Sequence, residues 1–267
     1  VKYMRSFQPF YPDGLQNNYR YIMLAYEEWR SLFELGKLSE PQSAFFKTKP
    51  VEQLFDLSSD PHETVNLAGN QEYRAVLLSL RNRLNQKMNA IHDLSFYPEN
   101  HMVKHALDDG IKFGQTHAEE IRLLQQTANL ALLPFEQAEE NIRRALNHVS
   151  PLVRYWAFTV CSSFGVKAKP LLKNAESRLN DPDPLVRVRA AEFLALISGQ
   201  DPRPTFYQVL NENHGELVSL ITLNAVVLFH DMKNGYPFDV SQLKDPDGRN
   251  EVKRRLDYLA GRLEQKK

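Results

Sequence analysis

The chain has a single cysteine, Cys161, among 267 residues, so it cannot close an internal disulfide, and without a CxxC or Cys/His cluster it offers no zinc knuckle. It has no net charge. The 33 lysines and arginines balance 33 aspartates and glutamates, so no whole-chain field draws it to nucleic acid or to an anionic membrane. No apolar run reaches the roughly 18 residues that span a bilayer; the best candidate, Leu217 to Phe229, is interrupted by Ser219, Thr222 and Asn224. A glycine-rich phosphate loop and a GxSxG elbow are also missing. A chain of this length holds one large domain or two ordinary ones, and two units are expected. Val1 to Phe7 is already strand-like, with no initiator methionine or signal segment before it, which predicts the C-terminal part of a longer protein.

What is present changes character near residue 100. Before it, strand and helix signals mix. Val1 to Phe7 and Gln53 to Leu57 read as strands, and Gln8 to Asn18, with two prolines and a glycine, as a loop. Tyr19 to Leu35 reads as a helix ending near Gly36, and Ser39 as the N-cap of a short helix through Phe46. From Gln71 to Ile91, Val76, Leu77, Leu80, Leu84, Met88 and Ile91 recur at helical steps and describe one buried face.

From about 115 only helices are expected, and an internal repeat appears. At an offset of 33, Ser150-Pro-Leu-Val-Arg154 aligns with Asp183-Pro-Leu-Val-Arg187, and the surrounding twelve positions hold seven identities. Ser150 and Asp183 suit an N-cap, and Pro151 and Pro184 the first helical position, where no amide is missed. A weaker third copy runs through Leu217 to Val227, with Ser219 in place of the arginine. Asp183, Val186, Arg187, Ala190 and Leu194 resemble the D-x-x-V-R-x-x-A-x-x-x-L helix of HEAT repeats. That resemblance implies that Asp183 and Arg187, and also Arg154, hydrogen-bond between neighbouring repeats, with three or four helix pairs stacked over 101–240. The tail from Glu251 to Lys267 is amphipathic, with Val252, Leu256, Leu259 and Leu263 on one side, and reads as a terminal helix docked on the stack.

Side chains with chemistry are few. His101 and His105 in HMVKH could share a helix face and a metal, but no glutamate stands where HExxH would have it and no third ligand is adjacent. His92-Asp93 reads as structural hydrogen bonding. The pairs Glu119-Glu120 and Glu139-Glu140 read as a solvated helix face, and Tyr155, Trp156, Phe158 and Phe193 as core.

One segment carries a sharper signal. Pro50 to Ala68, PVEQLFDLSSDPHETVNLA, resembles the P-x-E-E-L-Y-D-L-x-x-D-P-x-E-x-x-N-L-A segment near the C-terminus of formylglycine-dependent sulfatases of the type I alkaline-phosphatase-like superfamily, departing at Gln53 and Phe55. Its neighbours agree in order. Lys2-Tyr-Met-Arg5 resembles the family's K-Y-I-R strand, and Gly36-Lys-Leu38 with Gln42, Phe45 and Phe46 its G-K-L-x-x-x-Q-x-x-F-F. Asp93 to Glu99 resembles its D-x-G-F-x-P-E.

The resemblance covers about residues 1–100 and implies an incomplete C-terminal subdomain, a small antiparallel sheet packed by a helix. It implies a parent that hydrolyses sulfate esters of carbohydrates and resides in the periplasm or outside the cell. The catalytic formylglycine and calcium ligands would precede this segment. Cys161 is followed by Ser162 and Ser163 rather than the C-x-[PA]-x-R pattern, so it is not expected to be the nucleophile.

The expected fold is therefore α+β and mostly α: a small sheet with packed helices over 1–100, a HEAT-like solenoid over 101–240, and an amphipathic helix over 241–267. Expected partners are the chain's own N-terminal sulfatase domain and, through it, a sulfated carbohydrate. Tyr11, Asp13, Gln16, Asn17 and Asn18 in the first loop are the candidates for the rim of its site, against a plain surface turn. No metal or catalytic residue is expected in this chain. The alternative is a non-enzymatic module whose helical stack recruits a protein partner.

Overall fold

In the computed structural model the described residues are mostly helical and include a two-stranded antiparallel sheet. Residues 1–17, 19–232 and 235–262 are described. The elements are β1 (Lys2–Arg5), α1 (Leu24–Glu34), α2 (Glu40–Ser43), β2 (Glu52–Phe55), α3 (Arg74–Ala90), α4 (Glu99–His105) and α5 (Gly110–Thr116). There follow α6 (Ala118–Asn129), α7 (Phe135–Leu146), α8 (Pro151–Phe164), α9 (Leu172–Arg178), α10 (Pro184–Ser198), α11 (Arg203–Asn211), α12 (Glu216–Asp231) and α13 (Asn250–Leu259). Two compact units share them, each discontinuous in sequence: Val1–Pro9 with Lys49–Ser163, and Phe10–Thr48 with Phe164–Lys267.

In the first unit β1 and β2 pair antiparallel with Tyr3 opposite Leu54 and Arg5 opposite Glu52. Successive strand residues face opposite sides. Since Leu54 and Phe55 are both buried, the ribbon is covered on both faces. The regular pairing covers four residues on each side, and beyond it the two segments stay joined by single backbone bonds, Ser6 donating to Val51 and Lys49 to Pro9. Glu52 ties three elements together. It accepts from the Tyr3 phenol at 2.6 Å and from Arg81 of α3 in a fork, Nε at 2.7 Å and Nη2 at 2.6 Å. A planar guanidinium matched to a carboxylate in this way fixes position as well as energy. Phe96 and Tyr97 fill the interior, Phe7 meets Phe96 edge-on at 5.3 Å, and Trp156 of α8 donates its indole N–H to the Phe96 carbonyl at 2.7 Å. The expected aromatic core of α8, Tyr155, Trp156 and Phe158, is buried.

In the second unit α10 is buried on nearly every side and packs against α9, α11 and α12. Apolar residues such as Val186, Val188, Phe193 and Leu194 account for much of this burial, and Arg187, Arg189 and Glu192 are buried with them. Its start is the one the repeat predicts: Asp183 accepts from the amides of Leu185 at 2.9 Å and Val186 at 3.0 Å, with Pro184 at the first position. Its end is set by Gly199 in the left-handed region at φ +74°. Arg187 of α10 reaches forward to Glu212, donating to both carboxylate oxygens, while His214 meets the same group at 2.7 Å. Arg154 of α8, in the first unit, donates within its own turn to the carbonyls of His148 at 2.7 Å and Val149 at 2.9 Å. The terminal helix α13 packs on α12 but stops at Leu259, where Gly261 turns left-handed at φ +67°. Leu263, expected on its apolar side, lies outside the described residues.

Two stability predictions follow from these ion pairs. Arg81→Ala should cost the first unit about 2–3 kcal/mol, less than the ~3–5 kcal/mol of a fully buried pair because both side chains keep some water contact. Urea unfolding followed by Trp156 fluorescence in a Trp29→Phe background reads it, and an unchanged midpoint would refute it. The second concerns acid. Arg187 and then His214 hold the Glu212 carboxyl down to about 2, below its ordinary 4.5. A depressed carboxylate stabilises above its unfolded value and loses that contribution as pH falls through the folded one. The melting-temperature difference between the wild type and Glu212→Gln should therefore be constant above about pH 5 and shrink between about pH 4.5 and 2.

Candidate functional site

The loop from Gln8 to Tyr19 holds all five rim candidates, and its course is decided at Gly14. The Gly14 amide donates to the Phe45 carbonyl at 2.9 Å, and its own carbonyl accepts from the Tyr26 phenol at 2.7 Å. A Cβ there would stand 2.5 Å from Phe46 Cδ1, so only glycine lets the backbone pass. Phe46 is held by Phe33, stacked at 4.6 Å, and Phe45 by Trp29, stacked at 4.9 Å. These are the aromatics of the G-K-L-x-x-x-Q-x-x-F-F segment, and Gln42 of that segment accepts from the Ser39 amide at 2.9 Å to start α2.

With the loop pinned, its side chains separate. Tyr11 turns inward and donates to Glu192 of α10, while Arg189 Nη1 donates to the phenol oxygen at 3.1 Å and to both Glu192 oxygens at 2.7 and 2.8 Å. Burial, then the neighbouring carboxylate, push the Tyr11 phenol well up. Gln16 is buried, and its backbone and side-chain oxygens both accept from Arg255 of α13, which also donates to Asn224 at 2.9 Å. Asn17 accepts from the amides of Tyr19 at 3.1 Å and Arg20 at 3.3 Å, closing a turn. Asp13 faces solvent, and Asn18 lies outside the described residues. Nothing in the sequence announced Arg189, Glu192 or Arg255 as partners of this loop, because they lie 178, 181 and 239 residues away.

In the first unit the segment 50–68 is a staple built on β2. Asn66 Oδ1 accepts from the amides of Leu54 at 2.9 Å and Ala68 at 3.0 Å, its Nδ2 donates to the Glu52 carbonyl at 3.3 Å, and the Leu67 amide donates to the Leu54 carbonyl at 2.8 Å. The outer edge of β2 is thereby satisfied without another strand. Asp60 closes the preceding turn, accepting from the Val65 amide at 2.8 Å and the Thr64 hydroxyl at 3.0 Å, and those bonds hold its carboxyl below the usual range.

The remaining chemistry-bearing residues sit as follows. His101 lies face to face with Tyr97 at 4.7 Å and near His105 at 4.6 Å, and burial and then His105 lower its proton affinity. Tyr97 donates to Glu120 at 2.6 Å, so Glu120 is tied to the core rather than simply solvated, whereas Glu119 pairs with Arg122 at the surface. Asp93 accepts from the Ser95 amide at 3.0 Å, the structural role expected of it. Cys161 is fully buried in α8, and burial pushes its thiol up, so it is not placed to act as a nucleophile. Among the described residues, no three His, Cys, Asp or Glu side chains stand where they could hold one metal ion.

Comparison with known proteins gives one informative likeness. An ulvan-active sulfatase of Formosa agariphila is 39% identical to this chain over 103 residues, 38% of the chain. The chain spans 17% of that protein's length. No family model matches the chain, and no solved structure matches it. A part of this chain is therefore related to a sulfatase.

The Tyr11 network yields the prediction of this section. Tyr11→Phe removes one donor from a carboxylate that is otherwise sealed with Arg189, and should cost about 1–3 kcal/mol. Equilibrium unfolding of the variant checks this, and a loss below about 0.5 kcal/mol would show that water replaces the phenol.

Proposed function

We propose that this chain is the C-terminal segment of a sulfuric ester hydrolase acting on sulfated carbohydrates. The observation that carries the reading is the 103-residue likeness to a sulfatase at 39% identity, joined to four motif segments in family order between Lys2 and Glu99. In this reading residues 1–100 are the end of the sulfatase portion, 101–240 are HEAT-like repeats stacked as a short solenoid, and 241–267 close it. The catalytic formylglycine and its calcium ion belong to the parent's N-terminal domain, outside these 267 residues, and the parent works in the periplasm or outside the cell. The loop at 11–18 lies at the rim of the parent's site. Since Tyr11 and Gln16 are committed to Glu192, Arg189 and Arg255, their contribution is to shape the rim, leaving Asp13 as the member facing solvent.

The repeated Pro-Leu-Val-Arg helix starts of α8 and α10 favour a second reading, a helical-repeat module that recruits a protein partner and keeps the sulfatase-like portion as scaffold. One experiment separates the two. The complete gene is expressed with formylglycine maturation and assayed for sulfate release from sulfated monosaccharides and oligosaccharides. Turnover is expected from the whole protein and none from residues 1–267 alone. A matured whole protein without turnover overturns the enzyme reading, as does an in-frame start next to Val1.

A further inference from the structure

The second unit contains a cleft that no motif pointed to. It has a volume of about 570 Å³, lies where the end of α11 and the start of α12 meet the 243–250 segment and α13, and falls in the ~300–1,000 Å³ range of small-molecule sites. Its floor is apolar: Leu223, Leu243 and Leu256 line it and are buried. Its lip is polar and set by left-handed backbone at Asn213 (φ +55°), Gly215 (φ +94°), Gly248 (φ +58°) and Asn250 (φ +49°). A Cβ on Gly248 would come within 2.9 Å of Val252 Cγ1 and 3.0 Å of Leu256 Cδ1, so the lip is packed tightly on α13. A mouth held by such turns is organised before any ligand arrives.

The charged groups of the lip are not equivalent. Glu216 already accepts from Asn250 Nδ2 at 3.3 Å and Asp245 from the Gly248 amide at 3.0 Å. Lys244 and Arg249 line the same cleft at its exposed edge, and neither side chain makes an ion pair among the described residues. The Lys244 amide is fixed to Asn211 Oδ1 at 2.7 Å, which anchors the segment carrying that cation. The lip therefore offers two uncommitted cationic donors beside carboxylate acceptors with spare lone pairs, and Ser219 adds a hydroxyl. A ligand with several hydroxyls, each able to donate and accept, and one anionic group uses all of these at once. Its C–H faces meet the leucines.

We infer that this cleft binds a single acidic saccharide unit, its anionic group on Lys244 and Arg249 and its hydroxyls on Glu216 and Asp245. The choice of a saccharide rests on the carbohydrate reading above, and the cleft would act as a holding site for a polymeric substrate rather than as a reaction centre. Glucose 6-sulfate, glucose and sodium sulfate are titrated into the full 267-residue chain, wild type and Lys244→Ala/Arg249→Ala, by amide NMR. Both substituted side chains are exposed and outside every described ion pair, so the variant should fold, and its melting temperature checks that. Signals of residues 210–223 and 243–256 should respond to glucose 6-sulfate about fivefold more tightly than to glucose, with the preference falling below about twofold in the variant. Silence of those signals, equal response to glucose, or full reproduction by sodium sulfate would overturn the inference. Since turnover by the complete protein is read separately, an active sulfatase with a silent cleft rejects this site alone, and an occupied cleft in an inactive protein rejects the enzyme reading alone.

Discussion

The carboxylate of Glu52 is the point on which the first unit depends. A two-stranded ribbon is at best marginal alone in water, since it buries little and leaves both edges open. Glu52 sits on β2, takes the phenol of Tyr3 from β1 and the forked guanidinium of Arg81 from α3, and so holds the ribbon to the helix that covers it. Arg5, the strand partner of Glu52, donates to the Val51 carbonyl at 3.1 Å and to the Ala128 carbonyl of α6 at 3.2 Å, and burial pushes its pKa down to about 10. The segment that resembles sulfatases is thus a joint between sheet and helices, and each of its polar side chains described above is occupied in holding that joint.

The second unit solves the opposite problem, a central helix with charged residues in its interior. Arg189 and Glu192 stand one turn apart on α10 and are both buried. Removing two charges from water costs several kcal/mol each unless they pair and their remaining hydrogen bonds are met. Here they pair with each other and with Tyr11 from the loop at the start of the unit, so the loop supplies a bond the helix lacks. The same logic repeats at Gln16 and Arg255. A loop rich in polar residues resembles a ligand rim in sequence, yet two of its five candidates are spent satisfying buried guanidinium and carboxylate groups.

Much of the local structure was legible. The helix from 74 to 90, the cap at Asp183 with Pro184, the aromatic interior of α8 and both strands follow from side-chain period, capping chemistry and β-branched content, all of which act within a few residues. The ends moved where neighbours decide: a 3-10 turn at Arg20–Ile22 precedes α1, and both strands stop where their pairing stops. The role of Glu120 was misread because Tyr97, which it accepts from, is 23 residues away. The cleft was not legible at all, since its floor joins α12 and α13 to Leu243 of the segment between them, which also carries its charged edge.

By itself the sequence determined that α10 begins at a capped proline and that residues 50–68 form a strand and a punctuated turn, because these depend on neighbours in the chain. Only the tertiary structure decided that Glu52 meets Arg81, that Tyr11 and Gln16 face inward, and that Lys244 and Arg249 share a cleft. The first two depend on the burial of polar and charged groups and on which distant group is present to satisfy them, and the third on how the segment between α12 and α13 packs against those helices.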